Sequence, residues 1–396
     1  MASTINASTS PAAIVQTADG TANLSLQSNG TTIAALTSTG VAVTGAISAT
    51  TDSTFSSTGA LTVSSGTTAQ RPTAAAGMIR YNTTLSSFEY SNGSVWYSST
   101  ALYGTQKGIM IGGANVSTIF GLSNLVSSSG VVATDTSAVA TGRVLAAAAS
   151  YGGDKAIFGH GSNPSNVTVS TTNLISNTGV VGNDVTGVGT PRDTLAACGY
   201  GGDKAIFGYG YASTYSSLTN LISNTGVAST DVTGVGTARN YLVAATYGGD
   251  KGIFMFGTNG TAQSITNLVS NTGVVATDTV NAAGVTIKGY GGAAQFGGGQ
   301  VIYAYGRNSA GTVISISNLV STTGVVASDT TGVGSARANP GACSYGSDKA
   351  IFAYGYTNTY VSMSNLVSNT GVVATDTTGV GTVRYGVTAA GYSLTA

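Results

Sequence analysis

One block of sequence, written six times, decides most of what this chain can fold into. Lys107, Lys155, Lys204, Lys251 and Lys349 mark one position, with Gln300 filling it in the remaining copy; the successive gaps are 48, 49, 47, 49 and 49 residues. Asn124, Asn173, Asn220, Asn267, Asn318 and Asn365, each followed by Leu, mark a second position, and Asp135, Asp184, Asp231, Asp278, Asp329 and Asp376 a third. Arg143, Arg192, Arg239, Arg337 and Arg384 each follow their Asp by eight residues; in the fifth copy that spacing lands on Thr286, with Lys288 nearby. Six copies therefore run from about residue 104 to the C-terminus. A unit of this size cannot bury its apolar face alone and must pack on its neighbours.

Each copy reads as four short strands. "KAIFGYG" (204–210) is a β-rich run after a Gly-Gly-Asp turn, "SLTNLIS" (217–223) follows a loop of varying sequence, Asn-Thr-Gly turns into runs such as "VVATD" (274–278), and an Ala-rich stretch such as Tyr241 to Tyr247 suits a crowded inner strand. No long pattern of helical period appears. Four strands in about 48 residues is the arithmetic of a β-propeller blade, and a ring leaves only short strand edges. This region resembles the kelch family: "KGIMIGG" (107–113) is similar to the kelch strand ending in a double glycine, and "TNLISNTGVASTDVTGVGTAR" (219–239) has the rhythm leading to the kelch arginine. The second glycine pair is usually Gly-X-Gly here and the blade tryptophan is missing, so the resemblance is to a kelch-like repeat. The expected fold is all-β: a six-bladed kelch-like β-propeller (104–396), preceded by an N-terminal β-rich shaft or anchor (1–65) and a small hairpin connector (66–103). The strand at Arg384 to Leu394 is expected to close the ring on Lys107 to Gly113; the alternative is Val95 to Gly104.

The first 65 residues alternate small apolar and polar residues, and such a composition buries too little apolar surface to offset its own ordering. The segment is expected to be held by neighbouring chains. Residues 66–99 resemble a small module of bacteriophage tail-fibre and virion appendage proteins, in which "AQRP", "GMIRYNT", "FEY" and "NG.W" come in that order. The two resemblances imply a virion protein, a tail or capsid fibre. Its partners would be other copies of itself (a homotrimer or higher assembly), other virion proteins through the N-terminal segment, and a host cell-surface glycan or protein. The alternatives are a purely structural decoration or tube-forming protein and, more weakly, a bacterial surface adhesin.

Charge excludes other classes. Only 7% of residues are charged and the net charge is zero, so no basic surface exists for nucleic acid. No run approaches the length of a membrane span, and the N-terminus lacks the pattern of a signal peptide. The chain holds one Glu (Glu89), one His (His160) and one Trp (Trp96), a poor stock for catalysis. The repeated Asp-Lys reads as turn scaffold with a balancing charge, because carboxylates spread around a ring cannot converge on one metal. Each Arg is expected to pair with an Asp of its own or the adjacent unit. Cys198 and Cys343 occupy equivalent positions and read as small buried residues. No enzyme, metal or cofactor is expected.

The loop after "IFGYG" differs in every copy while its flanks stay fixed, which is the pattern a binding face requires. Tyr209, Tyr211, Tyr215, Tyr354, Tyr356 and Tyr360 offer aromatic rings there, and His160, Asn163, Arg307, Asn308 and Asn358 offer hydrogen-bonding groups. Flat rings beside neutral polar groups suit a sugar.

Overall fold

A computed structural model describes residues 62–84, 88–94, 96, 104–137, 140–286 and 288–395 in full, and the backbone alone of 24–28, 31–37, 40–43, 87 and 97–98. The chain divides into two units, Met1–Thr62 and Val63–Ala396. In the first, Leu24–Ser28, Thr31–Thr37 and Gly40–Val43 form an antiparallel three-stranded sheet. Apart from residues 62–65, the rest of the expected shaft lies outside the described residues.

The second unit opens with a four-stranded sheet of Ser65–Gly66, Ala76–Asn82, Ser87–Asn92 and Trp96–Ser98. The hairpin read around Asn92-Gly93 is present, with Ser91 opposite Trp96. Trp96 is thus used here, away from the alternative closing position. Ser65–Gly66 pairs with Tyr81 and Asn82, so the small sheet begins slightly before residue 66. Glu89 is its buried anchor: Arg71 and Asn82 bond to its carboxylate, and Arg80 lies 3.8 Å away.

The remainder is all-β, in six similar sheets. The first strands are Thr388–Tyr392, Ala147–Tyr151, Ala196–Tyr200, Val243–Tyr247, Gly292–Phe296 and Gly341–Tyr345, belonging to sheets one to six in that order. Each pairs antiparallel with the strand that opens at Lys107, Lys155, Lys204, Lys251, Gln300 or Lys349. That strand pairs in turn with the one carrying the Asn-Leu marker. Sheet one joins the two ends of the repeat region, with Ala390 opposite Ile109.

The fourth strand departs from expectation. "VVATD" forms no strand: it makes single bridges such as Val126 to Val132 and Val269 to Val275, and the outer strand is two residues long at Thr136–Ser137 and Thr279–Val280. The physical reason is the asparagine. Asn267 Nδ2 donates to the carbonyl of Ala276 at 3.0 Å and to Asp278 at 2.8 Å, so a side chain does the pairing that a ladder would otherwise do.

Six apolar cores lie between successive sheets. Tyr151, Ile157, Phe207 and Ile222 share one across sheets two and three; Met110, Val126, Tyr345 and Ile351 share one across sheets six and one. The cysteines belong to this packing. Both are free and buried. A β-carbon at Gly252 would overlap Cys198 Sγ of the preceding sheet, and one at Gly108 would overlap Cys343 Sγ. The equivalent positions elsewhere pair Ala or Val with Ala. Where one sheet carries the larger residue, the next has given up its β-carbon, as close packing demands.

Two circuits of backbone hydrogen bonds tie the first strands together at their two ends. At the Gly-Gly-Asp end, Gly152, Gly201, Gly248, Gly297, Gly346 and Ser393 donate to the carbonyls of Asp203, Asp250, Gly299, Asp348, Gln106 and Asp154. At the other end, Thr194 donates to Leu145, Tyr241 to Thr194, Tyr290 to Tyr241, Asn339 to Tyr290, Gly386 to Asn339 and Leu145 to Gly386, which returns to its start. All twelve donors have a left-handed backbone, with φ between +48° and +64°.

Candidate functional site

The charged groups of the repeat prove to be framework. Asp154-Lys155, Asp203-Lys204, Asp250-Lys251 and Asp348-Lys349 are ion pairs between chain neighbours, at 2.5–2.8 Å and partly exposed. The stronger device is the buried Arg-Asn-Asp relay. Arg239 is fully buried; it donates to Asn267 Oδ1 at 2.7 Å, and Asn267 donates to Asp278 at 2.8 Å. The direct Arg239–Asp278 separation is 4.0 Å, so the asparagine carries the contact. The pairing read from sequence is therefore real but mostly indirect, and it lies within one sheet. Arg384 joins Asn124 and Asp135 in the same way across the two ends of the repeat region.

The fifth copy keeps this relay. Thr286 does not stand in for the arginine. It bonds Asp329, as Thr190 bonds Asp231 and Thr237 bonds Asp278. Lys288 fills the arginine position and reaches Asn318 and Asp329. An insertion of two residues conceals this from the spacing. Burial raises the carboxyl of Asp231, but hydrogen bonds from Thr190 and Asn220 outweigh it and hold the group below its ordinary value. Every relay aspartate is held in this direction. Such carboxylates are committed acceptors and poor candidates for proton transfer.

The two ends of the sheets differ in kind. The Gly-Gly-Asp end repeats itself. There the glycine of each such turn (Asn-Thr-Gly in four copies, Ser-Ser-Gly or Thr-Thr-Gly in the others) seats on the aromatic residue that closes the preceding first strand, Gly226 against Tyr151 and Gly130 against Tyr345. The valine after it is exposed in all six copies: Val131, Val180, Val227, Val274, Val325 and Val372 are 64–66% exposed. The other end changes from copy to copy. The variable loops leave from it, and the residues just after each Arg vary as well.

The residues expected at the variable end fall into two groups. Tyr209, Tyr354 and His160 are buried and form no part of a binding surface. Each has a positive φ ahead of a glycine. Tyr209 lies under Arg239, with its hydroxyl on the carbonyl of Val235, and Tyr354 lies under Arg384, with its hydroxyl on that of Val380. The "GYG" that seemed to open the loop is a floor on which the next sheet sets its arginine. Burial, then Arg192 and Arg143, pull the His160 imidazole down to about 3, so it is neutral.

The others do reach the surface. Tyr211 and Tyr215 pack edge to face at 5.6 Å, and both are exposed. Tyr356, Tyr360 and Asn358 lie together on one hairpin, whose rings extend to Tyr385 stacked on Tyr360 at 5.6 Å. Asn163 and Asn308 spend their carbonyl oxygens on their own loop amides, and Arg307 bonds Gly311. Sequence reasoning missed the centre of this face. Tyr241 and Tyr290 stack at 3.8 Å, 24° from parallel, where a cavity of about 120 Å³ is lined by residues of all six first strands and the residues just before them. Asp193 is close by, accepting from Ser162 at 2.7 Å. The signal was present: the two residues after each Arg (or Lys288) read VL, DT, NY, GY, AN and YG.

Among the described residues no group of three His, Cys, Asp or Glu could hold a metal ion. No family model and no curated protein matches this chain.

Proposed function

We propose that this chain is a non-enzymatic fibre protein of a bacteriophage particle, in which the six sheets are the blades of a kelch-like β-propeller and the variable end meets a glycan on the host surface. The observation that carries this reading is the contrast between the ends. A scaffold under packing constraint alone has no reason to keep the glycine-valine turn in all six copies and the Asp-Lys pair in four at one end while changing the loops and the two residues after each Arg at the other. The two hydrogen-bond circuits and the six inter-sheet cores support a ring. The order of short motifs in residues 66–99 supports the virion assignment. The N-terminal segment would join other virion proteins and other copies of the chain.

The test is adsorption of labelled full-length protein to intact cells of a bacterial panel. Specific adsorption to some strains, reduced at least tenfold by joint Tyr211→Ala, Tyr215→Ala and Tyr360→Ala substitution, is expected. Adsorption indifferent to those changes would overturn the reading.

A second reading, a decoration or tube-forming protein, is favoured by the six exposed valines, since identical apolar residues repeated on one end suit packing in an assembly. It predicts that Val→Ser at all six positions lowers the sedimentation coefficient of the assembled protein.

A further inference from the structure

The two circuits give the chain the same task twice. Each needs six residues in the left-handed region, each donating its amide to a neighbouring sheet. At the Gly-Gly-Asp end five of the six are glycine, the residue for which this conformation costs least. At the variable end one of six is glycine; the others are Leu145, Thr194, Tyr241, Tyr290 and Asn339. A non-glycine residue pays a steric penalty in this region that glycine does not. The chain therefore keeps five such residues at one mouth, and the circuit's bonds, backbone to backbone, make no use of their side chains. Strain kept at one of two equivalent places marks a site where the side chains are used.

What they offer is specific. Tyr241 and Tyr290 present a stacked pair beside the cavity, and both are half-buried. Thr194 and Asn339 line the same opening, and deeper in, alanines such as Ala148, Ala197 and Ala244 line it. Asn240, next to Tyr241, is buried and its Oδ1 has no hydrogen-bond partner among the described residues. Asp193 and Arg307 stand near enough to Tyr241 to act on its hydroxyl electrostatically, with opposite sign.

We propose that this mouth is a subsite for the end of a neutral glycan. The C–H face of a pyranose packs on the electron-rich face of a tyrosine. Its hydroxyls both donate and accept, which fits the Thr194 hydroxyl and the Asn339 amide that line the opening. No charged residue lines the cavity, so nothing there selects an acidic sugar or a phosphate. The cavity is well below the roughly 300–1,000 Å³ of a drug-sized pocket, so it admits one terminal unit. This inference rests on the recognition reading given above and locates its anchor at the centre of the face.

The test is binding of the full-length protein to an array of neutral and acidic oligosaccharides, with Tyr241→Gly and Tyr290→Gly as variants. Glycine suits the backbone at both positions, so relief of the left-handed conformation offsets part of the ring packing lost and the fold survives, which a melt of each variant checks. Binding to neutral glycans by the parent, lost at least tenfold in both variants and competed by the free terminal monosaccharide, supports the subsite. Neutral-glycan binding that survives both variants but falls with Tyr211→Ala, Tyr215→Ala and Tyr360→Ala overturns the subsite and leaves the recognition face standing. Preference for acidic glycans overturns the neutral assignment, and no glycan binding by the parent overturns both the subsite and the glycan reading.

Discussion

Replacing Arg239 by alanine removes three donated hydrogen bonds and a ring contact in one step. Nε reaches the carbonyl of Phe256 at 2.7 Å, Nη1 that of Thr237 at 3.0 Å and Nη2 Asn267 Oδ1 at 2.7 Å, while the guanidinium lies 4.3 Å from the centre of the Tyr209 ring. A buried acceptor left without its donor costs about 1–3 kcal/mol, and a desolvated cation–π contact contributes about 2 kcal/mol. Two effects offset part of this sum. Asp278 still holds Asn267, and the guanidinium no longer has to be dehydrated. Removal of one partner from a buried pair costs about 3–5 kcal/mol overall, so a loss near 4 kcal/mol is expected, lowering Tm by about 10 °C in a body of this size. Arg239→Lys is the sharper variant, because sheet five already uses Lys288 on Asn318 and Asp329. Lysine keeps the charge and the asparagine contact but loses the two carbonyl bonds, so about half the cost should remain. Urea denaturation and thermal melts of the full chain measure both. A loss under about 1 kcal/mol for alanine, or a lysine variant no better than alanine, would refute the relay as a source of stability.

Two further outcomes are expected. Gly252→Ala sets a β-carbon against Cys198 Sγ and should cost about 1–3 kcal/mol; Cys198→Ala in the same chain should recover most of it, and simple additivity in the double-mutant cycle would contradict the packing. The second concerns pH. The His160 imidazole is pulled down to about 3 by burial and by Arg192 and Arg143, below its unfolded value near 6.5. Stability is therefore complete above about pH 6.5 and falls as pH drops from there toward the folded value, because only the unfolded chain takes up the proton. His160→Phe, which copies Phe256 at the equivalent position, should flatten the fall in Tm between pH 7 and 5; an unchanged slope would contradict it.

The repeat, the strand at each Lys, the face of the Asn-Thr-Gly turns and the pairing of the C-terminal strand with the one at Lys107 were legible because each follows from the repeated pattern. The centre of the variable face was not. Tyr241 and Tyr290 take a left-handed backbone that their own residue types disfavour; the neighbouring sheet imposes it, and no local rule announces it. Tyr209 was misread for a related reason, since its burial comes from Arg239, thirty residues on. Lys288 was passed over because two inserted residues shift it from the expected spacing. The Cys-Gly complementarity was visible in the sequence, but it becomes interpretable only once sheet one is known to follow sheet six.

That adjacency can be measured with the chain's own thiols. Gly108→Cys places a thiol against Cys343 if sheets one and six are neighbours, and Gly252→Cys places one against Cys198 of the preceding sheet as an internal control. After refolding in a glutathione redox buffer and digestion, mass spectrometry should find a disulfide between positions 108 and 343 as readily as one between 252 and 198. A control that cross-links while the 108–343 pair does not would contradict the closed ring.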